Sequence, residues 1–550
     1  MTSLPEFDGP AELRSRLDAR LADWDRTDAA GRFWRRDPTF WPRADPSSVA
    51  TRLGWLDLPA LGARLPELAQ IAAGVRADGF RSVVVLGMGG SSLAPDLFGR
   101  TFGAAPGHPA LHVLDSTHPD AVVGLRDRLD VTRTVFLVSS KSGTTLEPNA
   151  FLEYFWREIE RAGGTPARQF VAITDPGTPL ERRAIERKFR HVVLAPPTVG
   201  GRYSALTVFG LVPAALIGVD LPGLLGRAAA MAAASGPSVT ASANAGLQLG
   251  AALGELQRLG RDKVTFVASP GVAGFPDWTE QLIAESTGKL GTGIVPVADE
   301  VGPLAPPFRR DLVLVELALR SEADPARDRG LAAAVAAGVP VLRYRLDSPL
   351  DLGGEFLRWE IGVAASGAIL GIDPFDQPDV ELAKALARDA MKPAAAGSPP
   401  PPMRPTTAAP VPLRAAVAAW LALARPGDYV ALQAFLAPTP DVAAGLRAVR
   451  TALHDRLGHA TTSGFGPRFL HSTGQLHKGG PPSGMFLQLV DRPTRVVEAP
   501  ELGLTFDRIV RAQADGDAAA LRQKDRRLLS LDLEGDAVGG LARVAEAIRG

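Results

Sequence analysis

TVFLVSSKSGTTLEPNA, residues 134–150, begins as an apolar run, passes through five hydroxyl residues around one lysine, and ends as the start of a helix. A strand, a loop rich in donors and a helix N-terminus in that order suit an anion: backbone N–H groups and hydroxyls face it, and one cation compensates its charge. Ser140, Lys141, Ser142, Thr144 and Thr145 are the candidate binders of a phosphate monoester. Upstream, VVVLGMGGSSLAP (83–95) repeats the plan with a glycine turn and two serines. Its glycines 87, 89 and 90 do not make Gly-x-Gly-x-x-Gly, and the loop is not a Walker A loop. Read alone, it is equally a tight strand-to-helix turn. Two such loops at the carboxyl ends of neighbouring strands converge on one crevice of a doubly wound sheet.

Working outward, SVVVL (82–86), LHVLD (111–115), TVFLVSS (134–140) and QFVAIT (169–174) are short apolar runs separated by helical patterns. VTFVAS (264–269), DLVLVEL (311–317) and VPVLRYRL (339–346) form a second such set. Alternation of this kind predicts βαβ units and parallel sheets, hence two α/β domains in tandem. Residues 10–75 read as helices and connectors, with ELRSRLDARLADWD at helical spacing. KPAAAGSPPPPMRPTTAAPVP (392–412) reads as a linker that builds no core. Beyond it, YVALQAFL and GMFLQLV read as strands around a helix, and two helical stretches close the chain. The expected units are an N-terminal helical region (1–50), a first α/β domain (51–235), a second (236–391), the linker (392–412) and a C-terminal α/β unit (413–550).

Composition narrows the function. Sixty basic residues balance sixty acidic ones, so no global field favours nucleic acid or an anionic membrane. The chain has no cysteine, which excludes disulfides and thiolate metal sites. No apolar leader or membrane-length run is evident, so a cytoplasmic protein is expected. Eight lysines stand against 52 arginines, and four of the eight (Lys141, Lys289, Lys384 and Lys478) fall inside the motif stretches.

Both loops resemble the sugar isomerase (SIS) fold, and four further stretches resemble the glucose-6-phosphate isomerase family. They are VGGRYSALTVFGLVP (199–213), EQLIAESTGKLGTGIVPV (280–297), GIDPFDQPDVELAK (371–384) and FGPRFLHSTGQLHKGGPPSGMFLQL (465–489). The last most resembles the isomerase half of transaldolase/phosphoglucose isomerase fusions. No barrel-length segment precedes the isomerase-like part, so a transaldolase half is not expected. The resemblance runs from roughly residue 30 to the end. It implies two tandem SIS-type doubly wound parallel-sheet domains, with the C-terminal α/β unit completing the site. It also implies interconversion of glucose 6-phosphate and fructose 6-phosphate through ring opening and a cis-enediol, without metal or organic cofactor, by a homodimer.

Carried over by position, the resemblance makes Glu285 the base, Arg202 the anion-stabilising arginine and Lys384 the lysine that helps open the ring. Ser140, Lys141, Ser142 and Thr145 match the phosphate loop, with Gly90 and Ser91 nearby and Gln377 at the phosphate and active site. The ring-opening histidine departs from the pattern. In better-known members it lies between the glutamate and lysine motifs, yet residues 286–383 contain no histidine. TGQLHKGG makes His477 the candidate, with His471 in reserve. The other six histidines have no such context.

The chemistry accounts for these residue types. Ring opening needs a proton donor at the ring oxygen and an acceptor for the anomeric hydroxyl, which a histidine and a lysine supply. Proton transfer between C1 and C2 needs one carboxylate that reaches both carbons, and the enediolate needs a fixed guanidinium. A non-catalytic phosphosugar-binding regulator would need the 140–145 loop but not Glu285, Arg202 and Lys384. A transaldolase would need a Schiff-base lysine on a barrel strand, which the sequence does not offer. Acceptance of mannose 6-phosphate is left open.

Overall fold

The computed structural model describes residues 6–57, 61–391, 404–493 and 495–550, with residues 381, 383, 384, 389 and 390 described as helix backbone alone. Strand β1 (Glu6–Asp8) opens the described chain. The first sheet comprises β2 (Ser82–Gly87), β3 (Ala110–Leu114), β4 (Thr134–Ser139), β5 (Phe170–Thr174) and β6 (His191–Leu194), in the order β3-β2-β4-β5-β6. Every pairing in it is parallel.

The continuous apolar runs have a direct cause. Val83, Val85, Val135, Leu137, Val171 and Ile173 enter one core. The residues between them (Val84, Leu86, Phe136, Val138, Phe170 and Ala172) enter another on the opposite face. A parallel sheet covered on both sides cannot alternate apolar with polar. Each fully buried aliphatic side chain of this kind contributes about 1.5–3 kcal/mol.

The second sheet contains β7 (Lys263–Ala268), β8 (Val295–Val297), β9 (Leu312–Leu319) and β10 (Val341–Leu346). Its order is β1-β10-β9-β7-β8, with β1 antiparallel on the edge of β10. The N-terminal segment is thereby part of the second sheet, and helix α1 (Ala11–Arg26) follows it. β9 carries the fully buried Glu316 at its centre, held by Arg327 at 3.0 Å, Arg345 at 3.0 Å and Arg343 at 3.5 Å. That cluster explains how a charge fits inside an otherwise apolar strand.

The C-terminal unit is a four-stranded parallel sheet rather than two strands followed by helices. β11 (Tyr429–Phe435), β12 (Ala460–Phe465), β13 (Gly484–Val490) and β16 (Arg527–Asp532) lie in the order β12-β11-β13-β16. A short hairpin, β14 (Glu498–Ala499) with β15 (Leu504–Thr505), precedes its long helix. Residues 392–403 of the expected linker lie outside the described residues. The rest of it is not free: Arg404 bonds Ser530 at 2.6 Å and Asp515 at 2.6 Å, and a helix begins at Pro410.

Five helices position the site. α2 (Leu146–Arg161) follows the 140–145 loop, and α3 (Phe275–Thr287) carries Glu285. α4 (Val380–Met391) carries Lys384 in its backbone, and α5 (Gly474–Gly479) holds the TGQLHKGG motif. α6 (Phe506–Gln523) docks the C-terminal unit on the first one: Phe506 stacks on Phe151 of α2 at 5.8 Å. Gly516 of α6 approaches α4 so closely that a Cβ there would stand 2.6 Å from the Ala387 nitrogen. No helix among the described residues is long and apolar enough to cross a membrane.

Candidate active site

The site gathers four segments from three parts of the chain. The first is the GMGG turn after β2. Gly89 takes φ +55°, where a side chain is disfavoured, and a Cβ there would lie 2.9 Å from the Gln281 amide nitrogen. A Cβ on Gly90 would collide with the Gly201 carbonyl. These two glycines thus let the turn abut both α3 and the Gly201–Arg202 turn. Ser91 is half-buried beside them.

The second segment is the loop after β4. Ser140 Oγ donates to Thr145 Oγ1 at 2.9 Å, and the hydroxyls of Ser142 and Thr144 lie 2.9 Å apart. Thr145 occupies the N-cap of α2 but makes no side-chain cap bond. Asn149 instead anchors the loop by donating to the Thr145 carbonyl at 2.7 Å. Lys141 pairs with Asp175 and donates to the Pro197 carbonyl at 3.2 Å. Burial pushes the Asp175 carboxyl up, against the pull of Lys141.

The third segment joins Arg202 to α3. Glu285 is 7% exposed and Arg202 4%. Arg202 Nη1 stands 3.4 Å from Glu285 Oε1, longer than a good hydrogen bond. Arg202 Nε donates to Ser286 Oγ at 2.8 Å, while Nη2 donates to the carbonyls of Pro374 at 2.7 Å and Asp376 at 2.9 Å. The guanidinium is therefore fixed by neutral acceptors, with one edge turned to the carboxylate. Lys289 grips the same 373–376 stretch, donating to the carbonyls of Asp373 and Asp376. Burial, then Arg202, lowers its ammonium to about 8. Gln281, one turn before Glu285 on the same face of α3, donates to Glu285 Oε2 at 3.0 Å.

The fourth segment is Arg468–His471 and α5, from the C-terminal unit. Gln281 Nε2 also donates to the His471 carbonyl at 2.8 Å, so one amide touches both the carboxylate and the histidine backbone. The His471 ring reaches Glu147, in the first turn of α2, with Nε2 3.0 Å from Oε1. Gln513 of α6 donates to the same Oε1 at 2.7 Å, and Thr117 donates to Gln513 at 2.7 Å.

His477 sits elsewhere. It is 4% exposed, packed against Phe486 at 5.0 Å and Phe469 at 5.9 Å, with Nδ1 3.2 Å from the Gln433 amide. Burial, then the neighbouring Lys478 charge, drives its basicity well below the ordinary histidine value. His471, the reserve candidate of the motif, thus meets a carboxylate from another unit, whereas the polar neighbour of His477 is an amide. The rest of TGQLHKGG is a clasp. Gln475 donates to the Gly288 carbonyl at 3.0 Å and accepts from the Asp379 N–H at 2.9 Å. Lys478 is buried on Asp517 at 2.5 Å.

Of the remaining expected residues, Gln377 is exposed just beyond the gripped carbonyls. The Lys384 side chain lies outside the described residues. Sequence reading does not single out Glu147, Gln281 or Gln513, and it marks Lys289 only as a lysine inside a motif stretch. Glu147 reads as an ordinary acid in a first helical turn, and Gln513 as a helix surface residue. Only Gln281, four residues before Glu285, carried a spacing signal. Among the described residues, no group of three or more histidine, aspartate or glutamate side chains is placed to hold a metal ion.

Residues 69–251 match the phosphoglucose isomerase family model. The chain is 30% identical over 392 residues to a glucose-6-phosphate isomerase of Rubrobacter xylanophilus, covering 60% of this chain and 88% of that one. It is 31% identical over 393 residues to a glucose-6-phosphate isomerase of Thermus thermophilus, covering 63% of this chain and 91% of that one. Among solved structures, a hypothetical protein from Thermus thermophilus superposes with a TM-score of 0.59 at 25% identity, over 71% of this chain and all of that one. A glucose-6-phosphate isomerase from Chlamydia trachomatis shares the fold, with a TM-score of 0.51 at 23% identity over 60% of this chain and 72% of that one. A pair of parallel-sheet domains, a buried Glu285–Arg202 pair and relatives matched over most of their length lead to one assignment: the chain belongs to the glucose-6-phosphate isomerase family.

Proposed function

We propose that the protein interconverts glucose 6-phosphate and fructose 6-phosphate, with His471 as the ring-opening acid and Glu285 as the base. The observation that carries the reading is the bridge at Gln281, one amide bonded to both the Glu285 carboxylate and the His471 backbone. It ties the proton-transfer group to the ring-opening group. The second sheet and the C-terminal unit thereby face one substrate.

The substrate phosphate lies against the 140–145 hydroxyls and the open first turn of α2, where N–H groups favour an anion. Lys141 turns to it from Asp175. The His471 ring, braced by Glu147, donates a proton to the ring oxygen as the bond from that oxygen to the anomeric carbon breaks. The anomeric hydroxyl gives up its proton to a second group, and the family resemblance assigns that part to Lys384. Glu285 then removes the proton from C2 of the open aldose and returns it to C1 of the enediol. O1 is protonated as O2 loses its proton, so the ketose forms with no net gain or loss of hydrogen. Arg202 faces the negative oxygen of the enediolate, and a preorganised donor of this kind is worth about 3–4 kcal/mol. Its bonds to the Pro374 and Asp376 carbonyls hold it in place before the charge develops.

On this reading His471 comes from the same chain as Glu285, whether or not the chain is a homodimer. The expected division into 51–235, 236–391 and 413–550 fits this reading, with the last unit supplying His471. Turnover of fructose 6-phosphate in excess chelator, followed by a coupled dehydrogenase, is expected for the parent chain. Glu285→Gln is expected to lose about 10²–10⁴ of it. A Glu285→Gln variant with full activity would contradict the assignment of the base.

A further inference from the structure

Arg468 belongs to the FGPRFLH stretch, of which the mechanism uses the histidine alone. It opens the short helical turn Arg468–His471, whose last residue is the ring-opening histidine. Its guanidinium leaves the C-terminal unit and crosses to the first one. Nη2 donates to Asp96 Oδ2 at 3.2 Å, and Nε stands 3.4 Å from Asp115 Oδ2. Asp96 lies in the first turn of the helix Leu93–Phe102, and Asp115 follows β3 directly. Both acids are therefore set by the sheet that carries the two loops.

The contact is electrostatically committed. Burial works against the Arg468 charge, and Asp115, Asp96 and Asp277 outweigh it, so the guanidinium is held charged more firmly than usual. Burial pushes Asp115 up, and Arg468 is the first influence opposing it. Glu280 and Asp277 of α3 also face this cluster, and Arg100 ties Asp277 to it.

We infer that Arg468 is a positioning residue for His471: by pinning the start of the turn to Asp96 and Asp115 it sets where the imidazole meets Glu147. The inference rests on the reading of His471 as the ring-opening acid. The other ends of the segment are already fixed. Phe469 is buried against Phe435 at 5.4 Å, the His471 carbonyl accepts from Gln281, and the ring meets Glu147. What Arg468 adds is a lateral restraint between the C-terminal unit and the first sheet. Phe469 still anchors the turn when Arg468 is neutralised, so the variant is expected to fold.

The test uses the full chain with Arg468→Gln and Arg468→Lys, and two readouts. The first is the imidazole nitrogen spectrum of the ¹⁵N-histidine-labelled protein, in which His471 is assigned by its loss in His471→Ala. Arg468→Gln is expected to shift or broaden the His471 signal alone among the eight histidines. The second compares ring-closed fructose 6-phosphate with 5-deoxyfructose 6-phosphate, a ketose that cannot close its ring. Arg468→Gln is expected to lower kcat/KM for the former about 10–100-fold and to leave the latter within threefold, with partial recovery in Arg468→Lys. An unchanged His471 signal in Arg468→Gln would overturn the inference, whatever the activity. So would equal losses on the two ketoses, which mark a general structural defect. Absence of turnover in the parent chain is a separate result: it would overturn the isomerase reading, while the spectrum still decides the role of Arg468.

Discussion

His471 and His477 belong to one stretch, HSTGQLHKGG, yet they occupy opposite environments. His471 ends a turn that reaches out of the C-terminal unit, and its ring stands 3.0 Å from the Glu147 carboxylate of another unit. His477 lies inside a short helix, closed in by Phe469 and Phe486, with an amide as its polar neighbour. A carboxylate within hydrogen-bond reach orients an imidazole for proton transfer, whereas burial among rings keeps one neutral. Motif membership alone does not separate the two histidines; the groups they meet do.

The sharpest way to break this comparison is to remove each ring in turn. His471→Ala is expected to lower kcat/KM for ring-closed fructose 6-phosphate by about 10²–10⁴ while leaving stability nearly unchanged. His477→Ala is expected to do the reverse: activity at low temperature stays within a few-fold of the parent, and unfolding in denaturant shows a loss of about 2–4 kcal/mol from the emptied core site. Equal activity losses in the two variants would dissolve the distinction.

A smaller effect is expected from Glu147, the partner of His471. Glu147→Gln keeps the shape and a hydrogen-bonding oxygen but removes the carboxylate that the His471 ring meets at 3.0 Å. Its expected cost is about tenfold to a hundredfold in kcat, concentrated on the ring-closed substrate. Steady-state rates on closed and permanently open ketoses measure it directly. Glu147 also accepts from Gln513, so a uniform loss on both substrates would signal a packing role instead.

The smallest effect contrasts the well-partnered carboxylates of the site with a poorly partnered one in the core. Glu360 is 1% exposed, its Oε1 has no hydrogen-bond partner, and burial raises its carboxyl well above the ordinary value. A raised folded-state value means that its contribution is whole below the unfolded value of about 4.3 and is lost as pH rises toward the folded one. Glu360→Gln removes that dependence. Its melting temperature relative to the parent is expected to climb steadily from acid to mildly alkaline buffer, and a flat difference would contradict the sign.

The fold was legible where physics acts locally. SVVVL, TVFLVSS and DLVLVEL are strands because both faces of a parallel sheet are apolar, and their continuous runs say so. The shorter or more polar strands were not legible. ATTSGF forms β12 at a sheet edge with most of its residues only partly buried, and RLLSLD forms β16 between two strong helices. β1 owes its strand state to β10, where Glu6 pairs with the distant Arg343, and nothing in its own composition announces that.

The site divides in the same way. Glu285, Arg202 and the 140–145 loop stand in recognisable local patterns. The His471–Glu147 contact joins residues 324 apart, and no periodicity encodes it. Gln281 shows the middle case: its spacing from Glu285 was visible, but its bond to the His471 carbonyl needed the fold.

The central claim is that His471 is delivered to Glu285 by the C-terminal unit of the same chain. The most direct measurement mixes two single variants, Glu285→Gln and His471→Ala, after co-unfolding and refolding them together so that any subunits can exchange. If each chain completes its own site, every hybrid still lacks one essential group per site, and the mixture stays as inactive as its components. Recovery of activity above that of either variant alone would mean that His471 reaches the Glu285 of a neighbouring chain, and would contradict the account.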